Sequence, residues 1–293
     1  MNELIIGVAV EDSHVSVALV DFKTRKIVPN SLKRTKVNAS ATANEIISVW
    51  AKVVEDVSLI HSSTVGKIGI GLPGLSDFEA GIFLMNEKGR YHNLYNHNIK
   101  ELLAAKLGVD ISHIKIMNDS ACFMQGEVFN GSARGFKSSL GITLGVGFGT
   151  ASYKNGVAQN CQLAYTPFLD GIAEDYISIK WLINRFESLT GIRVNEIKEL
   201  KQLAQEDSRV AEVFSEFAEN LSQFLTGFIR ENLPEVVVIG GYMETCNRFF
   251  FDSLIQKMLS KGIKVPILRA TLGEQAFIIG AASIWYESSL IHV

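Results

Sequence analysis

The sequence lacks the features that mark secreted, membrane-spanning or zinc-binding proteins. Its 293 residues include only Cys122, Cys161 and Cys246, an odd number without a Cys-x-x-Cys spacing. That pattern favours buried structural thiols over a disulfide framework or a zinc ribbon. The longest apolar stretch, residues 140–153, is broken by glycines and is too short to span a bilayer. No basic and apolar leader precedes the first predicted strand, so we expect a cytoplasmic protein without membrane partners.

An excess of basic charge is also missing. The chain has 28 Lys and Arg against 31 Asp and Glu, which gives a formal net charge of -3 at pH 7. Nonspecific binding to nucleic acid needs a basic surface, so we expect no direct nucleic-acid partner. The one local basic cluster, Lys33, Arg34 and Lys36, is typical of a solvated face near a turn. Hydrophobic residues at 47% are ordinary for a soluble protein, and the length suggests about two domains.

The first part of the chain predicts an antiparallel pair of strands, followed by strands that alternate with helices. Residues 4–10 and 15–19 predict the pair, and Ser40 or Thr42 is the expected N-cap of a helix with apolar residues at helical spacing. A second helix is expected to end at Gly108. The remaining predictions are strands at 27–36, 67–71 and 114–117, helices at 46–60 and 98–107, and a helix that contains Phe123 and Val128.

The same strand–turn–strand pattern recurs roughly 135 residues later, which indicates an internal duplication. Residues 139–144 and 150–153 predict this second pair of strands. The later part of the chain is richer in predicted helix and contains no linker or low-complexity segment. Its predicted elements are helices at 173–189, 209–232 and 274–288 and a buried strand at 235–239.

Six short motifs occur in a defined order along nearly the whole chain. They are Gly71-Leu72-Pro73-Gly74, Asn118-Asp119-Ser120-Ala121, Gly145-x-Gly147-x-Gly149, residues 235–241, residues 272–276 and residues 280–282. Together they resemble the ROK family of sugar kinases and sugar-responsive repressors. The resemblance implies an α/β fold: a duplicated actin-like ATPase (ribonuclease H-like) fold of two lobes with a central cleft for ATP and sugar. It also suggests a small N-terminal lobe, 1–117 plus 281–293, and a larger C-terminal lobe, 118–280.

Asn118 and Asp119 stand where a predicted strand meets a predicted helix. Both residue types cap helices well, so capping is the plain alternative to a role in chemistry. The resemblance implies that Asp119 is the catalytic base and that Asn118, Glu174, Asn93 and Gly74 contact the sugar. A carboxylate can accept the proton of a sugar hydroxyl, which is worth typically ~10²–10⁴-fold in rate. The alternative for Glu174 is an acidic first helical turn, which the helix dipole favours.

Two glycine motifs form the candidate nucleotide site. The resemblance implies that Gly145, Gly147 and Gly149 approach the phosphates and that Gly240 and Gly241 approach the adenosine. Glycine suits both roles because it has no Cβ to keep the backbone N–H groups away from a ligand. A tight hairpin and a plain strand-to-helix turn are the alternatives.

The first predicted turn departs most from the family pattern. ROK kinases have an aspartate at the strand end, then two glycines and a threonine, where this chain has Ala9, Glu11, Asp12 and Ser13. Ala9 cannot hold Mg²⁺ through water, and two carboxylates replace the glycines that face the β- and γ-phosphates. Like charges ~4 Å apart repel by ~4 kcal/mol at an effective dielectric of ~20. The carboxylates could instead recruit a metal, or the turn could be an ordinary polar hairpin.

Further departures lie in the second half. Val146, Thr150 and Ala151 replace a threonine and glycines of the family, and the Glu/His pair expected after Gly156 is missing. The cysteine-rich zinc loop is also missing, so we expect no structural zinc and assign no metal ligands.

The sequence therefore predicts a sugar-kinase-like ROK protein, one in which ATP- and Mg²⁺-dependent phosphorylation of a hexose or amino sugar is impaired. The alternative is a non-catalytic protein, a pseudokinase that binds a sugar or other metabolite and regulates a partner. A direct DNA-binding repressor is not expected, because no helix-turn-helix domain precedes the strand at Leu4. The resemblance also implies a homo-oligomer, a dimer or a tetramer.

Overall fold

The structure, a computed structural model, describes residues 4–61, 66–74, 76–86 and 91–286. The chain divides into two compact units. The first contains the residues up to Arg134, residues 156–159 and the residues from Glu274 onward; the second contains residues 135–155 and 160–273. The boundaries thus lie at 134/135 and 273/274, whereas the predicted lobes divide at 117/118 and 280/281.

Within the described part of the chain, the strands form two mixed sheets and two short ribbons. In chain order the strands are β1 (Leu4–Val10), β2 (His14–Asp21), β3 (Lys26–Ile27), β4 (Lys33–Lys36), β5 (Ile68–Leu72), β6 (Ser76–Asp77), β7 (Ile82–Phe83), β8 (Ile114–Asn118), β9 (Ser138–Leu144), β10 (Phe148–Lys154), β11 (Val157–Asn160), β12 (Pro167–Phe168), β13 (Gly171–Ile172), β14 (Val236–Gly240) and β15 (Ile267–Arg269).

Of the described helices, none is both long enough and apolar enough to cross a membrane. In chain order they are α1 (Ala43–Ser58), α2 (Ile99–Leu107), α3 (Asp119–Asn130), α4 (Ala173–Tyr176), α5 (Ile179–Thr190), α6 (Ile197–Leu203), α7 (Arg209–Asn232), α8 (Asn247–Ser260) and α9 (Gln275–Ser283).

The two sheets repeat one topology, which confirms the predicted duplication. The first sheet has the order β3-β2-β1-β5-β8, with β4 also paired to β2, and the second has the order β11-β10-β9-β14-β15. In each sheet, an antiparallel pair is extended by two parallel strands. Strand β1 pairs antiparallel with β2 and parallel with β5, which pairs parallel with β8. Strand β9 likewise pairs antiparallel with β10 and parallel with β14, which pairs parallel with β15. The carboxyl ends of the parallel strands therefore meet at one edge of each sheet, where ligands bind in many α/β proteins.

Local sequence signals explain several element boundaries. Thr42 caps α1 as predicted: its hydroxyl accepts from the backbone N–H of Glu45 at 3.4 Å, and the Glu45 carboxylate accepts from the Thr42 N–H at 2.9 Å. This reciprocal pair satisfies two donors that a helix start leaves without partners. Gly108 ends α2 with φ at 65°, a left-handed conformation that glycine adopts at little cost. The prediction of a helix over 209–232 is confirmed by α7.

Three predicted boundaries are wrong. The expected strand over 27–36 is two short strands, β3 and β4, separated by residues 28–32. The expected helix over 173–189 is α4 and α5, because Ser178 adopts an extended backbone and caps α5 by accepting from the N–H of Trp181 at 3.3 Å. The last helix, expected over 274–288, covers only 275–283 as α9; positions 287 and 288 lie outside the described residues.

Helix α9 approaches the first sheet and α3 as closely as backbone allows. A Cβ on Gly69 of β5 would lie 1.8 Å from the carbonyl oxygen of Ala281, and Gly7 of β1 makes a similar approach to α9. A Cβ on Gly126 of α3 would lie 2.1 Å from the carbonyl oxygen of Ala276. Because these contacts tie α9 to β1, β5 and α3, the first unit includes both α3 and the residues from 274 onward.

The close packing predicts that Gly69→Ala destabilises the first unit. The added methyl group must displace the α9 backbone, and overpacking of this kind costs about 1–3 kcal/mol. Gly227→Ala in α7 is the matched control, because a Cβ there meets nothing within 4 Å and alanine favours helix by about 1 kcal/mol. Urea unfolding midpoints should fall for the first variant and stay level or rise for the second. Equal midpoints for Gly69→Ala and the unchanged chain would contradict the contact.

Candidate functional site

Asn118 joins the end of β8 to the start of α3. Its Oδ1 accepts from the N–H groups of Ser120 at 2.9 Å and Ala121 at 3.3 Å, so the capping role is confirmed. Its Nδ2 donates to the carbonyl oxygen of Gly74 at 3.2 Å. The structure therefore brings together two of the predicted sugar-binding residues, Asn118 and Gly74, and their contact with a sugar stays a prediction.

Asp119 is the first residue of α3 and lies beside Asn118. Its Oδ1 accepts from the backbone N–H of Ser120 at 2.7 Å and from the Ser120 hydroxyl at 3.4 Å, and both bonds favour the charged form. Burial outweighs them and raises the pKa of Asp119 to about 6, with a further rise from the Asp12 carboxylate. A carboxylate with a pKa just below neutral is mostly charged at pH 7 and still accepts a proton readily, as a general base must.

The turn between β1 and β2 is held by side chains of β2 and β4. The Glu11 carboxylate accepts from Arg34 Nη2 at 2.6 Å and from Ser16 Oγ at 3.1 Å. Arg34 also donates through Nη1 to Glu274 Oε2 at 2.9 Å. Burial raises the pKa of Glu11, although Arg34 and Ser16 both favour its charged form. Arg34 is exposed, as expected for a solvated face, and its ion pair with Glu11 also neutralises part of the acidic turn.

The backbone of this turn is also engaged. The Glu11 N–H donates to the carbonyl oxygen of His14 at 2.9 Å, which closes the hairpin. The Glu11 carbonyl oxygen accepts from the Tyr91 hydroxyl at 2.6 Å. Ala9, just before the turn, is buried in β1 between Ser16 of β2 and Gly71 of β5. A methyl group thus stands where the family pattern has an aspartate.

Sequence reasoning missed Ser16, Arg34 and Tyr91 as partners of the turn. Ser16 and Arg34 lie directly opposite each other in the β2–β4 pairing, a register that the sequence of a single strand does not reveal. Tyr91 is fully buried against Trp50, with ring centroids 5.6 Å apart, and its φ of 56° is unusual for a tyrosine. No local pattern points to Arg34 or Tyr91, because their contacts with Glu11 join segments far apart in sequence.

Asn93 serves the loop before α1. Its Nδ2 donates to the carbonyl oxygens of Ser40 at 3.1 Å and Ala41 at 2.9 Å, which uses both amide hydrogens. A contact between Asn93 and the sugar would therefore use the side-chain oxygen, and this contact stays a prediction.

In the second unit, the structure brings Glu174 to the glycine-rich turn at 145–149. Glu174 Oε2 accepts from the N–H of Phe148 at 2.8 Å, and a Cβ on Gly147 would lie 2.9 Å from the same oxygen. The N–H of Gly145 donates to the carbonyl oxygen of Gly147 at 3.0 Å, and Gly149 pairs with Thr143 inside the β9–β10 ladder. Two N–H groups of the predicted phosphate cradle thus have internal partners, one of them a carboxylate.

The second glycine motif follows β14. Gly240 is the last residue of the strand and pairs with Thr143, while Gly241 has a φ of 91°. A Cβ on Gly241 would lie 2.8 Å from the carbonyl oxygen of Leu144, so close packing on β9 already requires glycine there. The alternative of a plain strand-to-helix turn is thus sufficient to explain Gly241. The contact of Gly240 and Gly241 with adenosine stays a prediction.

The donor set of the first turn does not fit a magnesium triphosphate. The N–H of Glu11 is used within the hairpin, and the side chains of Glu11 and Asp12 add negative charge where phosphate oxygens need donors. Across residues 4–61, 66–74, 76–86 and 91–286, no group of three or more His, Cys, Asp or Glu side chains could hold a metal ion.

Comparison with solved structures defines the fold. The ROK hexokinase from Thermus thermophilus superposes with a TM-score of 0.83 at 20% identity, covering 99% of this chain and 100% of that one. A ROK glucokinase from Streptomyces griseus, solved in complex with glucose and AMPPNP, gives a TM-score of 0.77 at 20% identity, covering 96% and 99%. The chain has the two-lobed actin-like ATPase fold of these proteins, as predicted.

Comparison of sequences supplies the family. The ROK family model matches residues 5–164 and 171–288, and the chain belongs to the ROK family. It is 28% identical to the N-acetyl-D-glucosamine kinase of Photobacterium profundum over 74% of this chain and 79% of that one. It is 23% identical to the N-acetyl-D-glucosamine kinase of Aliivibrio fischeri over 94% and 97%. The resemblance drawn from the six motifs is confirmed.

The raised pKa of Asp119 predicts a pH-dependent loss of stability. The folded chain binds this proton more tightly than the unfolded chain, whose carboxyl titrates near 3.8, so stability falls as the pH rises from about 4 to about 6. Asp119→Asn removes the effect and should be more stable than the unchanged chain at pH 7 by about 1–3 kcal/mol. The difference should vanish below about pH 4 in urea unfolding.

Asp110→Asn is the control of opposite sign. The Ser112 side chain and backbone N–H hold the pKa of Asp110 below its usual range, so its substitution should reduce stability at neutral pH and lose its effect in acid. A stability difference for Asp119→Asn that stayed constant between pH 4 and pH 7 would contradict the raised pKa.

Proposed function

We propose that this chain binds a hexose or an amino sugar at Asn118 and Asp119 and phosphorylates it with ATP only feebly. The observation that carries the proposal is the state of Asp119, a half-buried carboxylate with a pKa near 6 beside an ordered asparagine. The names of the relatives support the substrate class, because they include N-acetyl-D-glucosamine kinases and a glucokinase.

Asp119 is the proposed general base. At pH 7 its carboxylate can accept the proton of a sugar hydroxyl while oxygen attacks the phosphoryl group. The bonds from Ser120 keep one carboxylate oxygen in place, and Asn118 fixes the start of α3, so the base is held on rigid structure. We also propose that Gly74, whose carbonyl oxygen accepts from Asn118, contacts the sugar.

The first turn is the reason for the expected low rate. Phosphoryl transfer depends mostly on positioning and on neutralising the charge of the phosphates, which bound Mg²⁺ and backbone donors supply in kinases. Here Ala9 has no side-chain oxygen, and the side chains of Glu11 and Asp12 repel phosphate. The proposed base is therefore present, whereas binding of the triphosphate is weakened.

The second candidate is a sugar-binding protein without catalysis that regulates or binds a partner. The ion pairs of Glu11 and Arg34 favour it, because they give the turn a stable structure without a nucleotide. Assembly into a dimer or tetramer, a cytoplasmic location and the absence of structural zinc remain predictions.

A coupled assay of ADP release, run with Mg-ATP and a panel of hexoses and N-acetylated amino sugars, tests the proposal. We expect slow turnover with at least one sugar and a loss of about 10²–10⁴-fold in Asp119→Asn, because the variant has no base. Thermal shift should show that the variant still binds the sugar. Asp252→Asn is the control, since that side chain is 92% exposed and distant in sequence.

Each outcome separates the candidates. Sugar stabilisation without any ADP release supports the non-catalytic protein over the kinase. Equal turnover in Asp119→Asn and the unchanged chain would remove Asp119 from the base role. A chain that no sugar in the panel stabilises would contradict both candidates.

A further inference from the structure

The carboxylate of Glu11 is bound at both of its oxygens. Arg34 Nη2 donates to Oε2 at 2.6 Å and Ser16 Oγ donates to Oε1 at 3.1 Å. A guanidinium and a hydroxyl in this arrangement are also the donors that bind phosphate and free carboxylate ligands. The groups around Glu11 thus have the chemistry of an oxyanion site.

The two donors stand on rigid structure. Ser16 is only 7% exposed and lies in the middle of β2, and Arg34 is its direct partner on β4. Strand positions at matched register fix side chains better than loop positions do. A nearly buried hydroxyl also needs a hydrogen-bond partner, and here the partner is an anion.

Glu11 reaches these donors from a constrained backbone. The Glu11 N–H donates to the His14 carbonyl oxygen, and the Glu11 carbonyl oxygen accepts from the Tyr91 hydroxyl. These two bonds fix the backbone of Glu11 and so limit the positions that its carboxylate can reach. A tethered group competes at an effective concentration in the millimolar range or above. A dissolved anion must displace it and also overcome the charge of Glu274, which pairs with the other side of Arg34.

We propose that Ser16 and Arg34 form an oxyanion site that the chain fills with its own Glu11 carboxylate. The ligand class is a phosphate or a phosphate-like oxyanion, and Glu11 acts as an internal competitor that excludes it. This inference concerns anion binding alone and holds whether or not the chain turns over a sugar.

Removal of the competitor tests the proposal on the full chain. Inorganic phosphate, titrated at constant ionic strength against chloride, should leave the melting temperature of the unchanged chain level. In Glu11→Ala it should produce a saturable rise of a few degrees, because a ligand that binds only the folded state stabilises it. Glu101→Ala, the same substitution at an exposed site in the same unit, should behave like the unchanged chain.

The double variant Glu11→Ala/Arg34→Gln identifies the site. Its melting temperature should not respond to phosphate, since the guanidinium is gone, while a response equal to that of Glu11→Ala would overturn the assignment. An equal phosphate response in the unchanged chain and Glu11→Ala would overturn the competition. Should Glu11→Ala not fold, Glu11→Gln provides the same comparison, because the amide keeps the size of the side chain and loses its charge. Folded variants without any phosphate response would contradict the proposal.

Discussion

The backbone of α9 approaches β1, β5 and α3 at distances that only glycine permits, and the geometry of the first unit follows from that packing. Gly7, Gly69 and Gly126 each leave room for a carbonyl oxygen of α9 where a methyl group would overlap it. Interiors packed this closely transmit displacement rather than absorb it. Helix α3 and strand β1 are therefore held in one fixed relation to each other.

That relation places the two halves of the candidate site. The start of α3 carries Asp119, and the residue just before α9, Glu274, binds the Arg34 that holds Glu11. Asp12, next to Glu11, in turn raises the pKa of Asp119. Asp119 and the acidic turn thus act on each other electrostatically. The proposed base lies near negative charge of the kind that a triphosphate avoids.

The sequence was informative wherever a local rule applied. The capping box at Thr42, the end of α2 at Gly108, the full extent of α7 and the repeated strand pairs all follow from short-range patterns. The six ordered motifs were sufficient for the family, and Asn118 and Gly74 do lie together. The break at Ser178 was missed because a capping serine inside an apolar helical pattern looks like one more helical residue. The partners of Glu11 were missed because strand register and long-range ion pairs have no local signature.

A crystal structure of the chain grown with a bound hexose and the ATP analogue AMPPNP tests the central claim most directly. We expect a sugar hydroxyl within hydrogen-bond distance of the Asp119 carboxylate, together with an intact pair between Glu11 and Arg34. Triphosphate oxygens bound to Arg34 with Glu11 displaced, or a sugar bound away from Asp119, would contradict it.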